Sequence, residues 1–450
     1  MGAARVFDHE EFDVLAVGGG PTGTRASIAA ADAGVHTGML LKGVPPSHDG
    51  LGHGVQVLAQ TTALEILRKD RDHAAAVVAI RSEKLILIRA RAIVLATGGA
   101  GRIYPLTSES SEATGDGYAM ALRNGAALSG MESVQFALAA LAYPEALAGT
   151  RIPDPLLGLP ATRLWNARNE RFMEKYDRAN TEGAARNTLA RAIHSEVVEG
   201  RGSPHGGVYL DLTRNDPATL ERLAGELIGR LEAYGIDPRH QPIEIAPAAE
   251  CFIGGIEIDA RAQTTMPALY AAGEAAAEAQ PPDATALGTT AGEEAASYAR
   301  AHPAFAEWDA IEEMARIELD PFHNPDDDDH ARIRLDEVHT ALQQTMFAHV
   351  GIVREPGSLE RGLVEIARLR GDFDALTPLG THDLKRCYEV RNMLDAAEAV
   401  TRSAMHHESR GPDNRFDRAK GDRGPRFATR VFGRPGRLQV EGRRRAKDPG

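Results

Sequence analysis

Apolar runs that end in glycine-rich turns recur along the chain, and they predict buried strands followed by helices. Residues 14–17 form the first run and residues 91–95 the second, and a glycine cluster follows each of them. An alanine-rich stretch at 25–33 comes directly after the first cluster. Short continuous apolar runs are typical of strands covered on both faces, as in a parallel sheet. The pattern therefore predicts an α/β fold.

The C-terminal half has a helical periodicity and a different ending. Leu335, Val338, Leu342 and Met346 are spaced to share one helix face, so residues 331–410 are predicted to be helical. Residues 411–450 are rich in Gly, Pro and Arg with little periodicity, which predicts a disordered basic tail. A contact between this tail and an anionic partner is the alternative.

Composition and charge restrict the possible function classes. The 450 residues allow two or three domains, and no apolar run is long enough to span a bilayer, so direct membrane insertion is not expected. Two cysteines give neither a disulfide framework nor a metal-binding spacing, which favours the cytoplasm. The net charge of −13 argues against nucleic-acid binding. The acidic stretch at 320–330 has no rigid ligand spacing and is interpreted as a linker, so no metal site is predicted.

The first glycine cluster has the spacing GxGxxG between a predicted strand and a predicted helix. This is the context that a dinucleotide-binding fingerprint requires. Its glycines allow a tight turn, and backbone amides at the positive helix end can approach a pyrophosphate. A second turn, ATGG, favours a flavin over a nicotinamide. The residues of the two turns that are predicted to bind the cofactor are Gly18, Gly19, Gly20, Pro21, Thr22, Gly23, Ala96, Thr97, Gly98 and Gly99.

Further blocks occur in a fixed order along the chain, at 254–275, 342–354, 391–395 and 408–411. Together with the two turns they resemble the flavoprotein subunits of succinate dehydrogenase, fumarate reductase and L-aspartate oxidase. The resemblance covers about residues 12–48 and 54–411. Several ordered blocks are much more specific than a single glycine motif.

The resemblance implies a Rossmann-like FAD-binding domain that is interrupted by a capping domain and followed by a helical C-terminal domain. It implies FAD as the cofactor and hydride transfer between the flavin and a small carboxylate substrate. An iron–sulfur protein subunit is the expected partner, through which the chain could lie peripherally on the inner face of the cytoplasmic membrane. The implied domains are a first FAD-binding segment at 12–129, the cap at 130–245, a second FAD-binding segment at 246–305 and the helical domain at 331–410, and the tail at 411–450 departs from the family.

Three residues match flavin-contacting positions of the family. Asp116 lies in a Thr-Gly-Asp-Gly turn, where a helix N-cap is the alternative role. Gly273 and Glu274 follow a predicted strand, and Glu274 matches the residue that hydrogen-bonds the ribityl chain. An exposed helix glutamate is the less expected alternative.

Lys42, Ser47 and His48 resemble the segment in which covalent members of the family join a histidine to the flavin ring. Asp49 replaces the usual threonine, and the long cofactor-contacting segment that follows in the family is absent here. Covalent attachment at His48 and a surface histidine in a proline-rich loop both remain open.

Arg186 matches the arginine that exchanges the substrate proton in the family. Arginine is normally too basic for this work, so the role depends on placement, and a salt bridge at a helix start is the alternative. Ala137, Glu250 and Ala286 stand where the family has groups that bind the two substrate carboxylates. Each lost contact to a carboxylate costs about 1.5–3 kcal/mol. These departures predict poor turnover of succinate and fumarate.

The leading hypothesis is an FAD-dependent oxidoreductase of this type with an altered substrate. A non-catalytic paralogue that keeps the scaffold and binds a partner is the first alternative. An L-aspartate oxidase-like enzyme is the second, although the block at 391–395 resembles the dehydrogenase branch more.

Overall fold

The computed structural model of the chain describes residues 7–43, 54–68, 73–277, 284–320, 330–376, 381–408 and 427–444. The strands are β1 (Asp8–Val17), β2 (Thr37–Leu40), β3 (Val55–Leu58), β4 (Thr61–Arg68), β5 (Ala74–Arg81), β6 (Lys84–Leu95), β7 (Leu128–Ser129), β8 (Val134–Leu141), β9 (Arg163–Trp165), β10 (Val208–Asp211), β11 (Ile243–Phe252), β12 (Gly255–Ile256), β13 (Leu269–Ala271), β14 (Phe427–Phe432) and β15 (Gln439–Arg444). The helices are α1 (Pro21–Asp32), α2 (Asp116–Arg123), α3 (Asp154–Leu157), α4 (Met173–Tyr176), α5 (Arg186–Glu196), α6 (Pro217–Glu232), α7 (Ala284–Ala301), α8 (Trp308–Leu319), α9 (His330–His349), α10 (Pro356–Asp374) and α11 (Thr381–Glu408).

The first sheet has the order β3-β2-β1-β6-β5-β4, and β13 also pairs with β6. Strands β1, β2, β3, β6 and β13 run parallel where they pair, whereas β4 and β5 are antiparallel neighbours at one side. Both predicted apolar runs lie in this parallel region, and their side chains are buried. The predicted α/β fold class is confirmed.

Helices α1 and α7 pack closely together beside the sheet because their facing residues are small. A Cβ atom on Gly288 would lie 2.6 Å from the carbonyl oxygen of Thr22, and one on Gly292 would lie 2.2 Å from that of Ala26. Alanines of both helices and of β6 fill the remaining space. The alanine-rich stretch predicted as a helix therefore owes its composition to this contact.

The second sheet has the order β8-β11-β10-β9 and is antiparallel throughout. Helices α3 to α6 occur in the same stretch of the chain, which is the stretch predicted as the cap. Strand β11 runs through the domain boundary expected at residue 245 and continues to Phe252. The hydrophobic side chains of this sheet and of α6 belong to the main core cluster.

Some of the tail is folded, which corrects the prediction of a disordered segment at 411–450. Strands β14 and β15 form a hairpin, and β14 also pairs with β7 in a small sheet of the order β12-β7-β14-β15. Val431 is fully buried in the main core, and Thr429 hydrogen-bonds Ser403 of α11. Arg430 separates Thr429 from Val431 in β14, and its side chain lies on the opposite face of the strand, so the arginine-rich composition concealed the two buried residues.

A buried arginine joins the first sheet to the C-terminal helices. Arg123 at the end of α2 forms ion pairs with Glu65 of β4 and Asp395 of α11. It also donates a hydrogen bond of 2.8 Å to the side-chain oxygen of Asn392. Burial opposes its charge, but the two carboxylates hold the pKa of Arg123 above its ordinary value. The three elements are thus connected by one satisfied charge cluster.

Replacing Arg123 by methionine should destabilise the protein strongly, because buried Glu65 loses its ion pair and buried Asp395 keeps only its pair with Arg370. Breaking a buried pair in this way typically costs about 3–5 kcal/mol. Urea unfolding followed by circular dichroism measures the change. Arg368→Met is the matched control, since Arg368 pairs with Glu365 and Asp372 on the exposed surface of α10 and such pairs contribute about 0–1 kcal/mol. Equal losses in the two variants would contradict this interpretation.

Candidate functional site

A cleft of about 520 Å³ opens where the glycine turns meet. It lies at the carboxyl ends of β1, β6 and β13, which is the edge where ligands bind in open parallel sheets. The turns after these three strands all contribute to its wall. The predicted cofactor residues that line it are Gly18, Gly19, Gly20, Pro21, Thr22, Lys42, Ala96, Thr97, Gly98, Gly99, Asp116, Gly273 and Glu274.

The first turn is folded so tightly that two of its glycines cannot carry a side chain. A Cβ on Gly18 would lie 2.1 Å from the carbonyl oxygen of Ala96, and one on Gly23 would lie 2.0 Å from that of Gly18. Gly20 differs, because a Cβ there would meet no atom within 4 Å. Helix α1 begins at Pro21, and its N-cap, Gly20, gives no side-chain hydrogen bond to the amides of the first turn at the cleft. This arrangement fits a diphosphate at the helix N-terminus.

The second turn leaves polar atoms without partners beside the cleft. Gly98 has φ +76°, and a Cβ on it would meet nothing within 4 Å. The hydroxyl oxygen of Thr97 and one carboxyl oxygen of Glu109 are buried and have no hydrogen-bond partner among the described residues. Buried polar groups are normally satisfied. The two unsatisfied atoms therefore fit a cleft that holds a polar ligand.

The third turn carries Gly273 and Glu274. Gly273 has φ +68°, and a Cβ on it would come within 2.9 Å of the hydroxyl oxygen of Thr22. The side chain of Glu274 accepts a hydrogen bond of 2.8 Å from the backbone amide of Phe252. Its backbone carbonyl accepts one of 2.8 Å from the hydroxyl of Tyr118. The turn is thus fixed to both β11 and α2.

Lys42 and Asp116 form a nearly buried ion pair in the cleft wall, 2.7 Å apart. Asp116 accepts further hydrogen bonds of 2.8 Å from Thr114 and from Asn392 of α11. Burial works against its charge, but Lys42 and these donors hold the pKa of Asp116 below its ordinary value. Gly115, rather than Asp116, is the N-cap of α2, so the alternative N-cap role for Asp116 is wrong.

Comparison with known proteins agrees with this geometry. The family model of the FAD binding domain matches residues 44–282, and that of the fumarate reductase flavoprotein C-terminal domain matches residues 339–428. The chain belongs to this family of FAD-dependent oxidoreductases. FAD is its cofactor, and the family predicted from the sequence is confirmed.

Three curated relatives illustrate the range of the family. An uncharacterized FAD-dependent oxidoreductase of Methanocaldococcus jannaschii is 33% identical over 81% of this chain and 67% of its own length. One subunit of the fumarate reductase (CoM/CoB) of Methanothermobacter marburgensis is 36% identical over 76% of this chain and 63% of its own. An L-aspartate oxidase of Vibrio cholerae is 30% identical over 90% of this chain and 75% of its own. The chain thus spans about two thirds of the length of the first two.

The fold extends to solved structures at lower identity. Mycobacterium smegmatis Sdh1 in complex with UQ1 superposes with a TM-score of 0.83 at 23% identity, over 98% of this chain and 95% of the other. No helix within the described ranges combines the length and hydropathy needed to cross a bilayer.

Two of the predicted flavin-binding residues, Ser47 and His48, lie outside the described residues, so covalent attachment at His48 stays a prediction. Lys42, from the same predicted segment, is described. Its amine lies 2.9 Å from the hydroxyl oxygen of Thr114 and 3.1 Å from a carboxyl oxygen of Glu389 of α11. Lys42 is therefore held in the cleft wall by both the loop before α2 and the C-terminal helices.

The structure does not bring Arg186 into the cleft. It is the first residue of α5, its side chain is 44% exposed, and it pairs with Asp154 at 2.5 Å. This is the salt bridge at a helix start that was the alternative interpretation. A catalytic role for Arg186 stays a prediction without a contact at the site.

The three positions that the sequence comparison matched to carboxylate-binding groups of the family have these surroundings. Ala137 is buried in β8, and Ala286 lies in α7. Glu250 of β11 forms an ion pair with Arg151 and accepts a hydrogen bond of 3.0 Å from Gln135. The carboxylate of Glu250 is thus neutralised by an arginine from the loop after β8, which sequence patterns did not indicate.

Three residues of the site were not found from the sequence. Glu109 lines the cleft, and Glu389 and Asn392 contact the Lys42–Asp116 pair from α11. Asn392 lies in a block that was recognised without a role. Glu109 and Glu389 belong to no motif, so only the folded chain shows where they meet the turns.

Replacing Gly20 by valine should remove flavin while leaving the apo fold intact. The new side chain enters open space in the cleft, where it would displace a diphosphate and its charge-assisted hydrogen bonds. Losing even one such bond costs about 1.5–3 kcal/mol, so affinity should fall at least about tenfold. The ratio of flavin absorbance to protein measures the loss. Gly229→Val in α6, which also faces open space, is the control and should keep wild-type flavin.

Proposed function

We propose that this chain holds FAD in the cleft between its three glycine turns and uses it to transfer hydride to or from a small carboxylate. The observation that carries the proposal is the cleft itself, which lies at the carboxyl edge of the parallel strands and is lined by thirteen of the predicted cofactor residues.

The turn residues are assigned to binding. The amides at the start of α1 would bind the diphosphate, with the open face of Gly20 giving it room. Glu274 and the unpartnered Thr97 hydroxyl would meet polar atoms further along the cofactor. The Lys42–Asp116 pair would fix the wall of the cleft against α11.

Bound FAD supplies hydride transfer, and the protein supplies binding, orientation and electrostatics. The carboxylate of the substrate needs a cation or a hydrogen-bond donor near the flavin. Arg151 and Gln135 are such groups beside Glu250, but Glu250 already engages both. A dicarboxylate would therefore have to compete with a resident carboxylate of the protein.

The proposal includes a partner protein. One relative is named as a subunit of a fumarate reductase, which supports a chain that works beside other polypeptides. An iron–sulfur protein that receives or delivers electrons suits a flavoprotein of this kind. Association with the inner face of the cytoplasmic membrane would then pass through that partner.

A non-catalytic paralogue is the alternative, and the exposed Arg186–Asp154 pair favours it. The two functions differ in whether bound flavin can be reduced by a substrate. Anaerobic mixing of the flavin-loaded protein with a set of small carboxylates, followed at the flavin absorbance band, tests this. Bleaching by any carboxylate supports the enzyme; bleaching by dithionite alone supports the paralogue.

Succinate and fumarate should be poor substrates. The expected rates lie below about 1 s⁻¹, the lower end of the usual enzyme range, because a substrate misplaced by about 1 Å can lose 10²-fold in rate. The assays are succinate with an artificial acceptor and fumarate with a reduced dye. Glu250→Gln is the informative variant, since it frees Arg151 and should raise either rate. The prediction would be contradicted if the wild type turned over either substrate in the usual enzyme range and Arg186→Gln abolished that turnover. Arg186 would then take part in the reaction.

A further inference from the structure

Two carboxyl groups approach each other inside the cleft, where both reach the position that a side chain on Gly99 would occupy. A Cβ atom on Gly99 would lie 2.5 Å from a carboxyl oxygen of Glu274 and 2.7 Å from one of Glu109. Glu109 comes from the loop before α2, and Glu274 from the turn after β13. Sequence motifs assign only Glu274, so the pairing is a property of the fold.

Within the described ranges, the surroundings of this pair offer hydrogen bonds, and no cation forms an ion pair with either carboxylate. One oxygen of Glu109 accepts a hydrogen bond of 3.1 Å from the amide of Gly101, and its other oxygen is buried without a partner among the described residues. Glu274 accepts a hydrogen bond from the amide of Phe252. Two ionised carboxylates in such a place repel each other, and the usual outcome is that one of them keeps its proton.

The other titratable groups that face the pair are neutral. Tyr118 of α2 and Cys251 of β11 lie beside it, and burial followed by the charge of Glu274 raises the pKa of both, that of Cys251 to about 12. The nearby cations Lys42 and Arg151 already form ion pairs with other carboxylates. Lys42 pairs with Asp116 and Glu389, and Arg151 pairs with Glu250. A proton is therefore the cation that remains for the pair.

We propose that Glu109 is a positioning residue that holds a proton at neutral pH, donates it as a hydrogen bond to Glu274, and makes FAD binding depend on that proton. The inference rests on the proposed placement of FAD in the cleft. With the proton in place, the pair carries a single negative charge, and the Glu274 carboxylate is held in one orientation against the cofactor. Without the proton, the two carboxylates repel each other and move apart, which distorts the cleft wall beside Gly99.

The electrostatics agree with this geometry. Burial, and then the charge of Glu274, raise the pKa of Glu109 to about 9. The binding-competent, protonated form is then nearly complete below about pH 8 and falls about tenfold for each pH unit well above about pH 9. Apparent affinity follows the competent fraction, so the dissociation constant should rise about tenfold by about pH 10.

The first test is an FAD titration of the apo-protein between about pH 6 and pH 10. Wild-type affinity should be constant to about pH 8 and weaken about tenfold by pH 10, whereas Glu109→Gln, which keeps a donor toward Glu274, should bind FAD without the alkaline loss. Glu112→Gln removes another carboxylate from the cleft rim and should retain the loss. An alkaline loss that is absent from the wild type, or equal in Glu109→Gln, overturns the proposal.

The second test needs no cofactor. A carboxyl group whose pKa is raised by folding costs stability above its ordinary pKa, because the unfolded chain ionises while the folded chain does not. The cost grows from the ordinary value of 4.5 to the raised value of about 9. The apo-protein melting temperature of Glu109→Gln should therefore exceed that of the wild type by more at about pH 8 than at about pH 5. Glu274→Gln, which also removes the like charge, should show the same trend.

The two tests separate this inference from the proposed function. A pH-dependent stability gain in Glu109→Gln without any FAD binding would reject the cofactor placement, and with it the proposed effect on binding. The opposite outcome combines two results: Gly20→Val weakens FAD binding, and Glu109→Gln shifts the melting temperature equally at the acidic and the alkaline pH. This outcome would support the placement of FAD and overturn the proposal that Glu109 holds a proton.

Discussion

The close approach of backbone to backbone at Gly18 is the constraint on which the rest of the site depends. The Cα of Gly18 packs against the carbonyl of Ala96 so tightly that no side chain fits between them. This contact joins the turns after β1 and β6, and Gly23, Gly288 and Gly292 extend it into the packing of α1 against α7. Because small residues hold these turns at a fixed distance, the start of α1 and the turn at Gly98 open into the same cleft.

Buried ion pairs and hydrogen bonds hold the side of the cleft that faces α11. Asn392 of α11 contacts both Asp116 and Arg123, and so links the cleft wall to the buried pairs with Glu65 and Asp395. Each of these ions is desolvated and paired with an opposite charge. Removing one partner would therefore lower the free energy of unfolding strongly, and the pairs hold the elements in one geometry. The helical domain is thus attached to the flavin-binding domain by the same residues that hold the cleft wall, and loss of the helices would loosen the site.

The features predictable from the sequence are those in which local backbone chemistry restricts residue identity. Gly18 and Gly23 could be predicted from the sequence because only glycine fits there. The roles of Glu109 and Arg151 could not be predicted from the sequence, because their partners Glu274 and Glu250 lie far along the chain. A glutamate or arginine outside a motif gives no sign of its partner. The folded hairpin at β14 and β15 was missed because its arginines dominate the composition, while its stability comes from Thr429 and Val431.

The cofactor cleft and the Glu250–Arg151 ion pair depend on different physical properties of the chain. The cleft depends on backbone shape, which tolerates no substitution at Gly18. The region around Glu250 depends on side-chain charge, which single substitutions can reverse: Glu250 supplies a negative charge, and Arg151 neutralises it. Substitutions can therefore change the charge around Glu250 while every backbone contact that shapes the cofactor cleft remains in place.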